Sequence, residues 1–148
     1  MEWWATQSDS IKLAYIKRLL QQSGIISNLE QNSQNVSTML GNTLNDSKGN
    51  WILSRHEDAQ SELRLSFITA DGIEDISIDR TFVDNGTRWI IDYKTAGTDN
   101  DNLELFLKKQ KTQYSKQMQK YKQAISQIDN RPVKLGLYFP AISAWCEW

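Results

Sequence analysis

The sequence predicts an α/β (α+β) fold in which helices flank a mixed central sheet, an antiparallel meander extended by one parallel strand. Three features predict it. Asn85-Gly86 separates two β-forming runs, residues 76–83 and 88–95, and this dipeptide favours the two-residue type I′ hairpin turn, which needs φ > 0 at both central positions. From about residue 103 to 128 the apolar positions recur with helical spacing. Val133, Leu135, Leu137 and Phe139 then alternate in a strand closed by Pro140, and strand, helix, strand in that order makes a right-handed crossover between parallel strands.

The other elements follow in chain order. Residues 10–23 carry a helical stripe of Ile11, Ala14, Tyr15, Ile16, Leu19 and Leu20, with Gly24 where a helix C′ glycine belongs. Ser27-Asn28-Leu29-Glu30 matches a capping box and opens a weak, Asn- and Ser-rich helix that reaches Val36, Met39 and Leu40 before Gly41. The polar stretch LGNTLNDSKGN reads as a mobile loop. Residues 51–54 and 62–69 read as strands, the second alternating Leu63, Leu65 and Phe67 against Glu62, Arg64 and Ser66, and Asp71-Gly72 turns the chain. Asp99 and Asp101 are the expected caps of the long helix.

The chain of 148 residues fits a single domain, residues 1–148, and its 39% hydrophobic and 24% charged composition is that of a globular protein. With 17 basic against 18 acidic residues, net charge points to no partner. Cys146 is the sole cysteine, which excludes an internal disulfide or a cysteine-ligated metal cluster and fits a reducing, cytoplasmic setting. The sequence has no apolar run long enough for a membrane helix, no signal-peptide order in MEWWATQSDS and no phosphate loop for ATP hydrolysis. Its last residues, AWCEW, suggest tryptophans in search of a packing partner, hence an excised fragment of a larger protein.

In the 76–95 hairpin, a two-residue turn pairs Asp84 with Thr87, and counting back places Asp79 opposite Asp92, with Cβ atoms ~4.5–5.5 Å apart. Lys94 projects from the same face as Asp92. Facing carboxylates repel, so a fold that keeps them calls for a cation. A hard divalent ion such as Mg²⁺ suits one or two carboxylates plus waters better than zinc does. The bland alternative is that Asp79 caps a loop and Asp92–Lys94 is a partly exposed ion pair. On the long helix, Tyr114, Gln117, Met118, Tyr121, Ile125 and Ile128 share one stripe, which makes Tyr121 a core residue and Gln117 a partner for a buried backbone group. Lys108, Lys109, Lys111, Lys116, Lys120 and Lys122 lie on the same helix with no acidic residue from 105 to 128, either a track for a DNA backbone or a solvated face. Trp3, Trp4, Trp145 and Trp148 are candidates for stacking on bases or for contact with missing parts of a parent protein.

An acidic residue followed by an apolar strand ending in D-x-K resembles the PD-(D/E)XK nuclease superfamily. IDRTF, RWIIDYKT, YSKQMQKY and LGLYFP together resemble the nuclease domain at the C-terminus of UvrD/Rep-type helicases, the RecB and AddA group, over residues 51–148. The resemblance implies a restriction-endonuclease-like core and Mg²⁺- or Mn²⁺-dependent hydrolysis of DNA phosphodiesters. The setting it implies is an exonuclease domain of a helicase–nuclease in repair and recombination, with DNA and the helicase portion as partners and no membrane. It makes Asp79 and Asp92 the metal ligands and Lys94 the catalytic lysine, and places Gln117 and Tyr121 in the site. Glu62 resembles an acidic residue that some members carry in the first strand. The family's histidine on an N-terminal helix has no match, since His56 in SRHEDAQSE is the only histidine and lies just before a strand. The alternative is a catalytically silent nuclease-like domain that binds DNA or docks helicase domains.

Overall fold

The computed structural model describes Trp4, residues 6–97 and residues 102–148. Four helices and five strands are defined there: α1 (Asp9–Gln22), α2 (Leu29–Asn45), α3 (Ser47–Leu53), β1 (Glu57–Thr69), β2 (Gly72–Asp84), β3 (Thr87–Tyr93), α4 (Leu103–Ser126), β4 (Val133–Phe139) and β5 (Ala144–Glu147). The strands form one sheet in the order β1-β2-β3-β4-β5, antiparallel except for the parallel β3–β4 pair joined through α4. The predicted mixed α/β class is the observed one. None of these helices is long and apolar enough to cross a membrane.

α1 ends as its glycine dictates. Gly24 has φ +80°, and the N–H groups of Gly24 and Ile25 donate to the carbonyls of Gln21 and Leu20, a Schellman closure. The expected capping box is not made. Asn28 caps α2 in the left-handed region, with φ 49° and no side-chain bond, while Glu30 turns away to pair with Lys17 of α1. α2 also runs through Gly41 to Asn45, past its expected end.

The expected mobile loop and the 51–54 strand are replaced by the end of α2 and by α3. Asp46 accepts the Gly49 N–H at 2.8 Å and so caps α3. Gly49 lets the two helices close together: a Cβ there would lie 2.4 Å from the Thr43 carbonyl and 2.5 Å from Tyr138 Oη. This contact is tertiary, so neither propensity nor periodicity shows it.

Asn85 and Gly86 have φ 47° and 73°, as the type I′ turn requires. β5, which was not anticipated, reverses the chain after Pro140 and lays Trp145 over Gly136, where a Cβ would stand 1.8 Å from the indole. Trp145 also meets Trp51 and Trp89, and Trp148 packs against the core beside Lys111, so both C-terminal tryptophans find partners within the chain. Trp3, Asp99 and Asp101 lie outside the described residues. Asn102 supplies the cap of α4, accepting from Leu105 N–H at 2.9 Å.

The sheet separates two cores. On the α4 side Ile78, Ile90, Leu135, Leu137 and Phe139 pack with Met118, Tyr121 and Ile125. On the α3 side Ile52 packs with Phe82, Trp89, Ile91 and Tyr138. Each fully buried aliphatic side chain contributes on the order of 1.5–3 kcal/mol.

Candidate active site

The site forms where two ladders stop. β2 and β3 pair from Asp84–Thr87 to Arg80–Ile91 and no further. Between β1 and β2, Ser61 pairs with Arg80 and Leu63 with Ile78, but Glu62 and Asp79 between them form no pair, and Glu62 is left-handed with φ 54°. Ile78 faces α4 while Phe82, four residues on, faces α3. A regular strand would put both on one face, so β2 is kinked between them.

The β2–β3 register is the expected one, but the ladder stops one pair short, so Asp79, at this kink, is not a ladder partner of Asp92. Instead Asp79 Oδ2 accepts the N–H of Tyr93 at 2.9 Å, satisfying a donor left by the parting strands. The two carboxylates still feel each other. Asp92 is only 2% exposed, and burial raises its carboxyl above the usual range; the hydrogen-bonding influence of Lys94 works against this, and the Asp79 charge adds to the rise.

Asp92, Lys94, Gln117 and Tyr121 form one connected array. The Lys94 main-chain N–H continues the β3–β4 pairing by donating to the Tyr138 carbonyl at 2.9 Å, which fixes where its side chain starts. Its Nζ lies 2.6 Å from Asp92 Oδ2, 3.3 Å from Gln117 Oε1 and 3.9 Å from the centre of the Tyr114 ring. Asp92 Oδ2 is buried, and its close polar contact is the Lys94 ammonium, an ion pair and not an open coordination position. Gln117 Nε2 in turn contacts Tyr121 Oη at 2.7 Å. Gln117 therefore bridges Lys94 and Tyr121, and does not serve a buried backbone group. Tyr121 is both core and site: burial raises its phenol, the Gln117 bond opposes that, and the charges of Asp92 and Asp79 add to it.

Two neighbours escaped the sequence reading. Tyr114 lies three residues before Gln117, one helical turn away, and that spacing was the available signal for its place over Lys94. Tyr93 gave none; its hydroxyl is buried without a partner, and burial pushes its pKa to about 12. Glu62 joins Asp79 in lining a cleft of about 430 Å³ against α2. His56 belongs elsewhere, stacked on Phe82 at 4.0 Å, with Nε2 2.6 Å from the Trp51 carbonyl near the hairpin turn.

Of the α4 lysines, Lys108, Lys109, Lys116, Lys120 and Lys122 are exposed. Lys111 donates to the Glu147 carbonyl at 2.6 Å, and Lys120 pairs with Glu74 at 2.6 Å. Lys116 and Lys120 border the same groove as Gln117 and Tyr121.

Among the described residues no group of three or more His, Cys, Asp or Glu side chains is placed to hold a metal. Asp79 and Asp92 have the oxygen chemistry that Mg²⁺ accepts, one or two carboxylates completed by waters, but Asp92 Oδ2 is held by Lys94 Nζ at 2.6 Å and would have to be released to ligate an ion. No protein-family model matches the chain, and no curated protein matches it.

Proposed function

We propose that the chain is a divalent-metal-dependent DNA phosphodiesterase domain, exonucleolytic and working within a helicase–nuclease of DNA repair or recombination. The observation that carries this reading is the buried Asp92 carboxylate in close ion contact with Lys94 and within the field of Asp79. Structural ion pairs on a strand are ordinarily exposed or fully hydrogen-bonded; a buried carboxylate held above its usual range next to a second acid is costly, and such costs concentrate at functional sites.

Asp79 and Asp92 would hold Mg²⁺ or Mn²⁺, which supplies charge neutralisation at a phosphate and a more acidic bound water. The chain's own groups do the rest. Lys94, steered by the Tyr114 ring and Gln117, brings positive charge to the place where a phosphate gains negative charge in the transition state. Gln117 gives the Lys94 ammonium a second, longer contact besides Asp92, and Tyr121 meets the Gln117 amide. Lys109, Lys116 and Lys122 offer exposed cations to the DNA backbone.

A second reading has its own support. The absence of a third acidic or histidine ligand among the described residues, with Lys94 already seated on Asp92, suits a silent nuclease-like domain that binds DNA or docks helicase domains. Degradation of end-labelled DNA by the full chain in Mg²⁺ or Mn²⁺, alone and joined to its helicase partner, separates the two. The nuclease reading expects loss of at least ~10²-fold in Asp92→Ala; equal degradation by that variant refutes it. Salt-sensitive binding that ignores chelator, with no cleavage, is the signature of the second.

A further inference from the structure

A divalent ion at Asp92 has a competitor already in the chain. Lys94 Nζ lies 2.6 Å from Asp92 Oδ2, and both side chains are sheltered, with 16% and 3% of their surface exposed. An oxygen in such close contact with an ammonium does not also coordinate a divalent ion, and two cations pressed together away from water repel strongly. Either the lysine yields or the ion stays out.

The array beside Asp92 gives the lysine somewhere to go. The Lys94 main chain is fixed, its N–H donating to the Tyr138 carbonyl at 2.9 Å, so only the side chain is free to move. Water reaches little of that side chain, and an ammonium leaving Asp92 for no other partner would pay heavily in lost solvation. Neutral partners are at hand: Gln117 Oε1 lies 3.3 Å from Nζ, and the centre of the Tyr114 ring 3.9 Å from it. Gln117 Nε2 donates to Tyr121 Oη at 2.7 Å, which keeps Oε1 turned toward the lysine. A short slide of the ammonium lengthens the Asp92 contact while it tightens the other two.

We propose that Lys94 is a latch on the cation site: it holds Asp92 Oδ2 until a divalent ion takes that oxygen, and its ammonium then rests on Gln117 Oε1 and the Tyr114 ring. The exchange leaves the lysine charge uncompensated by Asp92 and open to a phosphate, so cation binding arms the lysine. The inference rests on the nuclease reading for its ion, but it concerns binding, which is measured without cleavage.

The test is equilibrium binding of Mn²⁺ to the full chain for the wild type, Lys94→Met, Gln117→Leu and the double variant. Lys94→Met keeps an unbranched stem without the charge and should bind Mn²⁺ about tenfold more tightly, as loss of one charge-assisted contact allows. Loss of a nearby positive charge raises affinity on its own, so the second variant decides. Gln117→Leu removes the resting place and should weaken binding severalfold when Lys94 is present, and leave it unchanged in the Lys94→Met background. Binding seen only in Lys94→Met also supports the latch, closed in the wild type. Equal affinity of the wild type and Lys94→Met overturns it, as does a Gln117→Leu effect that is absent or the same in both backgrounds. Failure of the nuclease reading looks different: Mn²⁺ bound by neither the wild type nor Lys94→Met overturns both, whereas binding that needs Asp92 but ignores Lys94→Met overturns the latch alone.

Discussion

Lys94 Nζ lies 2.6 Å from Asp92 Oδ2, yet Asp92 is still held above the usual carboxylate range, because burial and the Asp79 charge outweigh the lysine. Ionised Asp92 is therefore a burden on the metal-free fold. Asp92→Asn is expected to raise the Tm of the chain in EDTA, on the order of 2–4 °C for each ~1 kcal/mol relieved. Adding Mg²⁺ should close the gap by stabilising the wild type alone. A Tm that falls in EDTA would show that the ion pair is a net support of the fold.

The Tyr114 ring, 3.9 Å from Lys94 Nζ, is predicted to position that lysine. Tyr114→Phe keeps the aromatic face and should degrade DNA at the wild-type rate. Tyr114→Leu should lose about five- to tenfold in kcat, in line with a cation–π contact of ~1 kcal/mol. Equal rates for the two variants remove Tyr114 from the site.

Lys116 is exposed, pairs with no acidic group among the described residues, and borders the groove of Gln117 and Tyr121. If it meets a phosphate, Lys116→Ala lowers the slope of log K against log salt for DNA binding by about one, uniformly across sequences. An unchanged slope assigns Lys116 to a solvated face.

Away from the site, Asp129 governs acid stability. The Arg131 N–H, 2.9 Å from Asp129 Oδ1, chiefly lowers its carboxyl below the usual range; burial opposes this, and the side chains of Arg88 and Arg131 reinforce the lowering. A depressed folded pKa contributes stability that is present above the ordinary carboxylate pKa of about 3.9 and is lost as pH falls through the folded value. Asp129→Asn should thus be less stable than the wild type at pH 7, with the difference shrinking as pH falls through the carboxylate range. Urea denaturation across an acid pH series checks this.

Much of the architecture was legible because its signals are local. Asn85-Gly86 set the β2–β3 register by backbone sterics alone, whereas the grouping of Gln117 and Tyr121 with Asp92 and Lys94 came from the family resemblance, since the helical stripe assigned Gln117 to a buried backbone group. α3 was not legible, since Gly49 nests against Thr43 and against Tyr138, and the second of these is far away in sequence. β5 was missed for a like reason: Trp145 becomes a sheet residue by covering Gly136. The position of Asp79 was half legible. Its strand and neighbourhood were readable, but the kink opposite Glu62, which turns a presumed ladder pair into a carboxylate accepting the Tyr93 N–H, is a non-local strand distortion that an alternating pattern conceals.

Mn²⁺ binding to the full chain, followed by electron paramagnetic resonance, reaches the shared cation without needing turnover. The account predicts that the chain binds Mn²⁺ and that Asp79→Asn and Asp92→Asn each weaken binding about tenfold or more. Mn²⁺ bound as tightly by either variant as by the wild type would contradict it.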